Sequence, residues 1–178
     1  SGHVVYMHED TLFAVPFDLQ RLEVTGQTAP VLEGVNTSPQ YGGAQFSFSD
    51  GGNLLYVAGR AGGADVSIYW MDHDGKFTPL REAPANYTNP AFSPDGKRLA
   101  LQINDGKRSD VWVYEWERDT LTRLTFAGDG NGFPLWTPDG QRITYSSQDK
   151  GGGYELWWVR ADGAGSPQRR TESRNIEY

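Results

Sequence analysis

From residue 89 to residue 125 the chain runs as short apolar stretches broken every few positions by turn residues. Each stretch is four to seven residues long, the length of a strand. A period of two marks strands, because successive side chains leave a strand on opposite faces. The stretches are NPAF (89–92), RLALQI (98–103), DVWVYEW (110–116) and LTRLT (121–125), which reads as four strands. No long 3.6-residue pattern interrupts them, so helical solenoids are excluded.

The same order recurs on both sides of this stretch. Before it come AQFSF (44–48), LLYVA (54–58), DVSIYWM (65–71) and FTPLRE (77–82). After it come FPLW (133–136), RITYSS (142–147), YELWWVRAD (154–162) and PQRRT (167–171). A shortened version opens the chain with HVVYM (3–7), TLFAVPF (11–17) and PVLEGV (30–35). Pro16 lacks an N–H to give to a ladder, so an edge or strand-end position is predicted for it. Asp50, Asp95 and Asp139 hold equivalent turn positions 45 and 44 residues apart, and Asp65, Asp110 and Glu155 open the third strands at intervals of 45. A period near 45 with four strands per unit predicts an all-β propeller built from four-stranded antiparallel blades. The predicted units are 3–35, which lacks its first strand, then 44–84, 89–127 and 133–173, within one domain or half-propeller spanning 3–178.

The turns and third strands give this reading its physical basis. In Ser93-Pro94-Asp95-Gly96 and Thr137-Pro138-Asp139-Gly140, proline presets φ and the hydroxyl can bond nearby backbone. Glycine accepts the geometry that exits the turn. The second unit has Ser49-Asp50-Gly51-Gly52 instead, so a looser turn is expected there. In the third strands Val66/Ile68, Val111/Val113 and Leu156/Trp158 share one face, and Ser67/Tyr69, Trp112/Tyr114 and Trp157/Val159 the other. Both faces are largely apolar, which predicts a sheet covered on both sides.

Composition changes the picture in a few places. Aromatic residues make up 13% of the chain, with 22 glycines and 10 prolines, as many short strands and turns require. The net charge of −7 argues against nucleic acid as a partner. There are no cysteines, which excludes disulfides and thiolate metal sites. No apolar run is long enough for a membrane-spanning helix. Ser1-Gly2 reads as a scar left by expression.

The stretches Pro90-Ala91-Phe92-Ser93-Pro94-Asp95-Gly96-Lys97, Asp110-Val111-Trp112-Val113-Tyr114 and Leu124-Thr125 resemble the TolB-like propeller repeats, also called WD40-like or PD40 repeats. So do Pro134-Leu135-Trp136-Thr137-Pro138-Asp139-Gly140 and Glu155-Leu156-Trp157. The segment 11–26 is similar to a divergent blade of bacterial propeller regions attached to kinases or regulators. The resemblance implies a propeller that binds protein or peptide without chemistry of its own, and a periplasmic or extracytoplasmic location. It also implies an alternative, a propeller enzyme or accessory domain acting on glycans or peptides. No catalytic motif of such families can be placed on these residues, and a fold alone supplies no chemistry.

No catalytic, cofactor or metal residue is assigned. His3, His8 and His73 are the only histidines. His73 between Asp72 and Asp74, and His8-Glu9-Asp10, read as solvated turns without metal-ligand spacing. Asp129 sits in a glycine-rich run of calcium-site composition that lacks the closing glutamate. The glycine loops 59–63 and 151–153 are not phosphate loops, since neither opens a helix. Arg169, Arg170 and Arg174 form a basic cluster suited to an acidic partner or to a solvated outer strand. Tyr41, Tyr87 and Phe133 precede inner strands and are expected to rim one mouth of the channel. Residues 174–178 read as the start of a further inner strand or a ring-closing tail. The array is expected to belong to a longer propeller of six to eight blades, or to close a ring of about eight blades from two copies; the second is favoured because open sheets seek partners.

Overall fold

The computed structural model describes residues 2–38, 43–49, 52–59, 66–72 and 74–170. They form an all-β, four-bladed propeller-like array whose first sheet is incomplete. Strands β1 (Gly2–His8) and β2 (Thr11–Asp18) form a hairpin, and the short β3 (Glu23–Val24) and β4 (Ala29–Leu32) share the far edge of β2. A two-stranded ribbon of β5 (Thr37–Ser38) and β6 (Gly43–Ala44) leads into the second sheet. That sheet contains β7 (Phe46–Phe48), β8 (Leu54–Val57), β9 (Val66–Met71) and the first half of β10 (Phe77–Phe92). The second half of β10 starts the third sheet, followed by β11 (Arg98–Asn104), β12 (Ser109–Glu115) and β13 (Thr120–Arg123). The fourth sheet orders β14 (Gly130–Trp136), β15 (Arg142–Gln148), β16 (Tyr154–Arg160) and β17 (Gln168–Arg169).

Two local features differ from the sequence expectation. The outer strand of the second sheet and the inner strand of the third are one extended segment. β10 pairs with β9 through Phe77 to Ala85 and with β11 through Asn86 to Phe92. Residues 83–88 therefore run as strand, not loop. Pro16, expected at an edge or end, lies in the middle strand of its sheet. It is tolerated because β4 pairs only with Leu12 to Ala14 and β3 only with Phe17 and Asp18. The missing N–H falls in the gap between these two partners, while the Pro16 carbonyl accepts from the Thr25 N–H at 2.9 Å.

The sheets stack face to face. Each presents a forward face toward the next sheet in sequence and a backward face toward the previous one. Leu12, Leu32, Val5 and Met7 of the first sheet meet Leu54, Tyr56, Tyr69 and Met71 of the second. Leu55, Val57 and Ile68 meet Leu99, Leu101, Tyr87 and Tyr114 of the third. Ala100, Val111 and Val113 meet Ile143, Tyr145 and Val159 of the fourth. The predicted two-sided burial thus holds for the second and third sheets. The Leu156/Trp158 face of the fourth sheet has no such cover among the described residues: Leu135, on the same face, is 64% exposed.

Candidate functional site

The polar side chains first serve the architecture. Ser93 Oγ donates to Asp95 Oδ1 at 2.5 Å, and the same oxygen accepts from Lys97 N–H at 3.1 Å. Thr137 and Gln141 make the same bonds to Asp139. These hydroxyl and backbone hydrogen bonds favour the ionised carboxylates, so both aspartates titrate below the ordinary carboxylate range. Asp50, the third member of the series, lies outside the described residues, as does Asp65.

Asp110 is held by four side chains. Its side chain is 4% exposed and meets Arg108 at 3.0 Å and Arg123 at 2.5 Å. It also accepts from Thr125 Oγ1 at 2.8 Å and from Asn131 Nδ2 at 3.2 Å. Thr125 Oγ1 in turn accepts the Val111 N–H. This network ties the third strand of one sheet to the entry of the next. Burial, with the Asp110 charge nearby, pushes the Tyr145 hydroxyl up to about 12. In the fourth sheet Glu155 takes the corresponding place and pairs with Arg169 at 2.5 Å.

A second set of contacts pins the inner strands. Asn89 and Phe133 occupy equivalent bulges, with φ of 51° and 54°. The Asn89 N–H donates to Gln45 Oε1, and the Phe133 N–H to Gln102 Oε1. Gln102 Oε1 also accepts from Asn89 Nδ2 at 2.6 Å. Gly132 leaves room for this side chain, since a Cβ there would stand 2.2 Å from Gln102 Oε1. Trp136 Nε1 donates to Ala91 O at 2.9 Å, and the Arg98 guanidinium lies 4.6 Å from the Trp136 ring centre. Arg142, the equivalent of Arg98, has no following sheet among the described residues and covers its own sheet's Trp158 at 4.1 Å.

The histidine and glycine candidates resolve into structural roles where they are described. His3 and His8 are exposed on β1, and His8 sits edge-on to Phe13. Asp72 accepts from the N–H groups of Asp74 and Lys76, so it caps its turn; His73 lies outside the described residues. The amides of Gly151 and Gly153 are taken up by Asp149 Oδ1. Residues 60–63 of the other glycine loop lie outside the described residues. Among the described residues no three His, Cys, Asp or Glu side chains converge as a metal site.

The arginine and aromatic candidates divide differently. Arg169 is held by Glu155, and Arg170 stacks on Trp158 at 4.6 Å, so the two do not form a common basic patch. Arg174 lies outside the described residues. Tyr87 is not on the rim. It is 2% exposed, packs against Leu99 and Leu101, and donates to Ala83 O at 2.8 Å. Phe133 alone stands out, 63% exposed beside a polar cleft of about 280 Å³. Lys107, Arg108, Asp129 and Tyr154 also line that cleft. Tyr41 lies outside the described residues. The glutamine pins were not identified from sequence; their only sequence trace is a side-chain amide opposite each bulge.

A stacked array of four-stranded sheets, with a polar cleft that carries Phe133 and Tyr154, defines a propeller domain. The chain belongs to the family described as the TolB beta propeller domain (PD40), which it matches over residues 4–177. It is similar to the Tol-Pal system protein TolB of Alcanivorax borkumensis, 26% identical over 93 residues, 51% of this chain and 21% of that protein. It is also similar to a probable dipeptidyl-peptidase 5 of Emericella nidulans, 30% identical over 148 residues, 70% of this chain and 20% of that protein. The chain therefore spans about a fifth of these relatives. The crystal structure of TolB from Acinetobacter baumannii superposes with a TM-score of 0.64 at 18% identity, covering 90% of this chain and 40% of that one. No helix among the described residues is long and apolar enough to cross a membrane, which says nothing of β-barrels.

Proposed function

We propose that this protein is a propeller scaffold that binds a protein or peptide without chemistry of its own, outside the cytoplasm. The observation that carries the reading is the exposed aromatic pair Phe133 and Tyr154 beside the polar cleft. A bulky side chain in the left-handed region is strained, and strain of this kind clusters at ligand-contact sites. Phe133 on the inner strand and Tyr154 at the start of β16 line one cleft and are each 63% exposed. Exposed aromatic anchors beside a polar rim are the composition of a protein-binding surface. We assign the blade units to 3–35, 44–84, 89–127 and 133–173 within one propeller or half-propeller domain.

A photo-crosslinking residue placed at Phe133 or Tyr154, which line the same cleft, tests the reading in the native host. One partner crosslinked from both positions, and not from Thr120 on an outer strand, is the expected outcome. Equal labelling from all three positions removes the reading. A second reading, a propeller attached to a peptidase, is favoured by the name of the Emericella nidulans relative, which this chain matches over a fifth of its length. Peptide hydrolysis by the full-length gene product, lost on deletion of a neighbouring domain, would establish it.

A further inference from the structure

We propose that a second cleft, where the exit of the third sheet meets the fourth, seats a lysine side chain of the partner. The idea rests on the binding reading above and gives that partner a chemistry. The cleft measures about 240 Å³ and adjoins the polar cleft, with Gln148 lining both. Phe126, Tyr145 and Trp157 line it, together with the acidic Asp149 and Glu155. No lysine, arginine or histidine lines it among the described residues.

Packing between blades does not require these polar groups. Counted from the Ser/Thr-Pro-Asp-Gly turns, Tyr145 and Ser147 stand where the third sheet has Leu101 and Ile103. That leucine and isoleucine belong to the apolar core against the second sheet. Asn131 stands where the preceding junction has the larger Tyr87, each bonded to the carbonyl four residues before it. The inner strand therefore fills less of this junction. Tyr145 is 3% exposed, yet its hydroxyl bonds no group among the described residues, and neither does that of Ser147. Arg81 Nε is the only buried side-chain nitrogen or oxygen without a hydrogen bond among the described residues. The Tyr145 oxygen, also unbonded, must then open on the cleft. Buried tyrosine hydroxyls usually have a partner, and a ligand in the cleft would supply this one.

The charges decide the sign of the ligand. Asp149 Oδ1 accepts from the amides of Gly151 and Gly153, and no cationic side chain pairs with this carboxylate among the described residues. Phe126 already carries one cation, with the Arg123 guanidinium 5.0 Å from its ring centre. Aromatic faces beside carboxylates attract organic cations. An arginine would call for a free carboxylate fork. Glu155 already holds Arg169 and accepts from the Trp157 indole N–H at 3.3 Å. A lysine brings a point charge on an apolar stem, which suits aromatic walls and a cleft the size of one side chain.

The probes are Nα-acetyl-lysine amide and Nα-acetyl-norleucine amide, which share an unbranched alkyl stem and differ in the ammonium. Each is titrated into the full chain, and the indole N–H signal of Trp157 is followed by NMR. Saturable binding of the lysine probe is expected, about fivefold tighter than that of the norleucine probe. Asp149→Asn keeps an acceptor for the two glycine amides and should remove most of that preference. Tyr145→Phe should weaken the lysine probe about threefold while the unfolding midpoint stays close to that of the parent, since the hydroxyl has no bond to lose. Equal affinity of the parent for the two probes overturns the proposal. So does a preference that Asp149→Asn leaves unchanged, or a Trp157 signal that never moves. If the lysine probe does not bind but a partner still crosslinks from Phe133 and Tyr154, this proposal falls and the scaffold reading stands.

Discussion

Two residues show how function and stability divide within one repeat. Asp110 is buried, charged and held by two arginines, a threonine and an asparagine. Removing one partner of such a pair strands the others. Asp110→Ala should therefore lower stability by about 2–4 kcal/mol in urea unfolding. The lower part of that range is expected, because Arg108 and Arg123 retain side-chain exposures of 32% and 24%. Phe133 is the opposite case. Its ring is largely in solvent while its backbone sits at φ 54°. Asparagine tolerates that conformation far better than phenylalanine. Phe133→Asn should raise stability by about 0.5–1 kcal/mol and abolish partner crosslinking from Tyr154. A variant that is less stable than the parent would mean that Phe133 is held for packing.

At the scale of the element, the Ser/Thr-Pro-Asp-Gly turns make the fold sensitive to acid. Asp95 and Asp139 titrate below the ordinary carboxylate range, chiefly because the Ser93 and Thr137 hydroxyls donate to them. The folded carboxyls hold their protons less tightly than the unfolded ones, so unfolding takes up protons. Their stabilisation is fully present above the unfolded value and is lost as pH falls through the lower folded value. Asp95→Asn should flatten the decline in stability below about pH 4 and leave the slope between pH 6 and 8 unchanged. A decline below pH 4 as steep as the parent's would show that this turn carries no such linkage. These turns were readable because their residue types and spacing recur. The third strands were readable as well, with Val111 and Val113 on one face and Trp112 and Tyr114 on the other. The continuity of β10 was not, because Ala83-Pro84-Ala85 carries loop-forming proline and no strand alternation. Nor was the burial of Tyr87, since an aromatic just before an inner strand has the same local sequence whether it points to the channel or to the core. The Gln45 and Gln102 bonds depend on inter-sheet register, which no local pattern encodes.

At the scale of the whole molecule, the repeat leaves two unlike faces open among the described residues. Val4 and Tyr6 lie on the backward face of the first sheet, each 41% exposed, and Leu135 on the forward face of the fourth at 64%. At every internal junction a forward face of this kind is buried against a backward one. A forward face meeting the backward face of another copy is a heterologous contact, which closes only if the accumulated rotation returns to its start. Four blade units from each of two chains would give a ring of about eight, within the range propellers adopt. We therefore propose ring closure by two copies, and sedimentation equilibrium checks it. The expected species has twice the 19.8 kDa chain mass. Leu135→Glu should shift it to monomer, because burying an unpaired carboxylate against apolar side chains is strongly unfavourable. Arg142 provides an internal control on the same face. Its guanidinium already lies on Trp158, so Arg142→Lys should change the association far less than Leu135→Glu. A parent chain that stays monomeric at every accessible concentration would show that two copies do not close the ring.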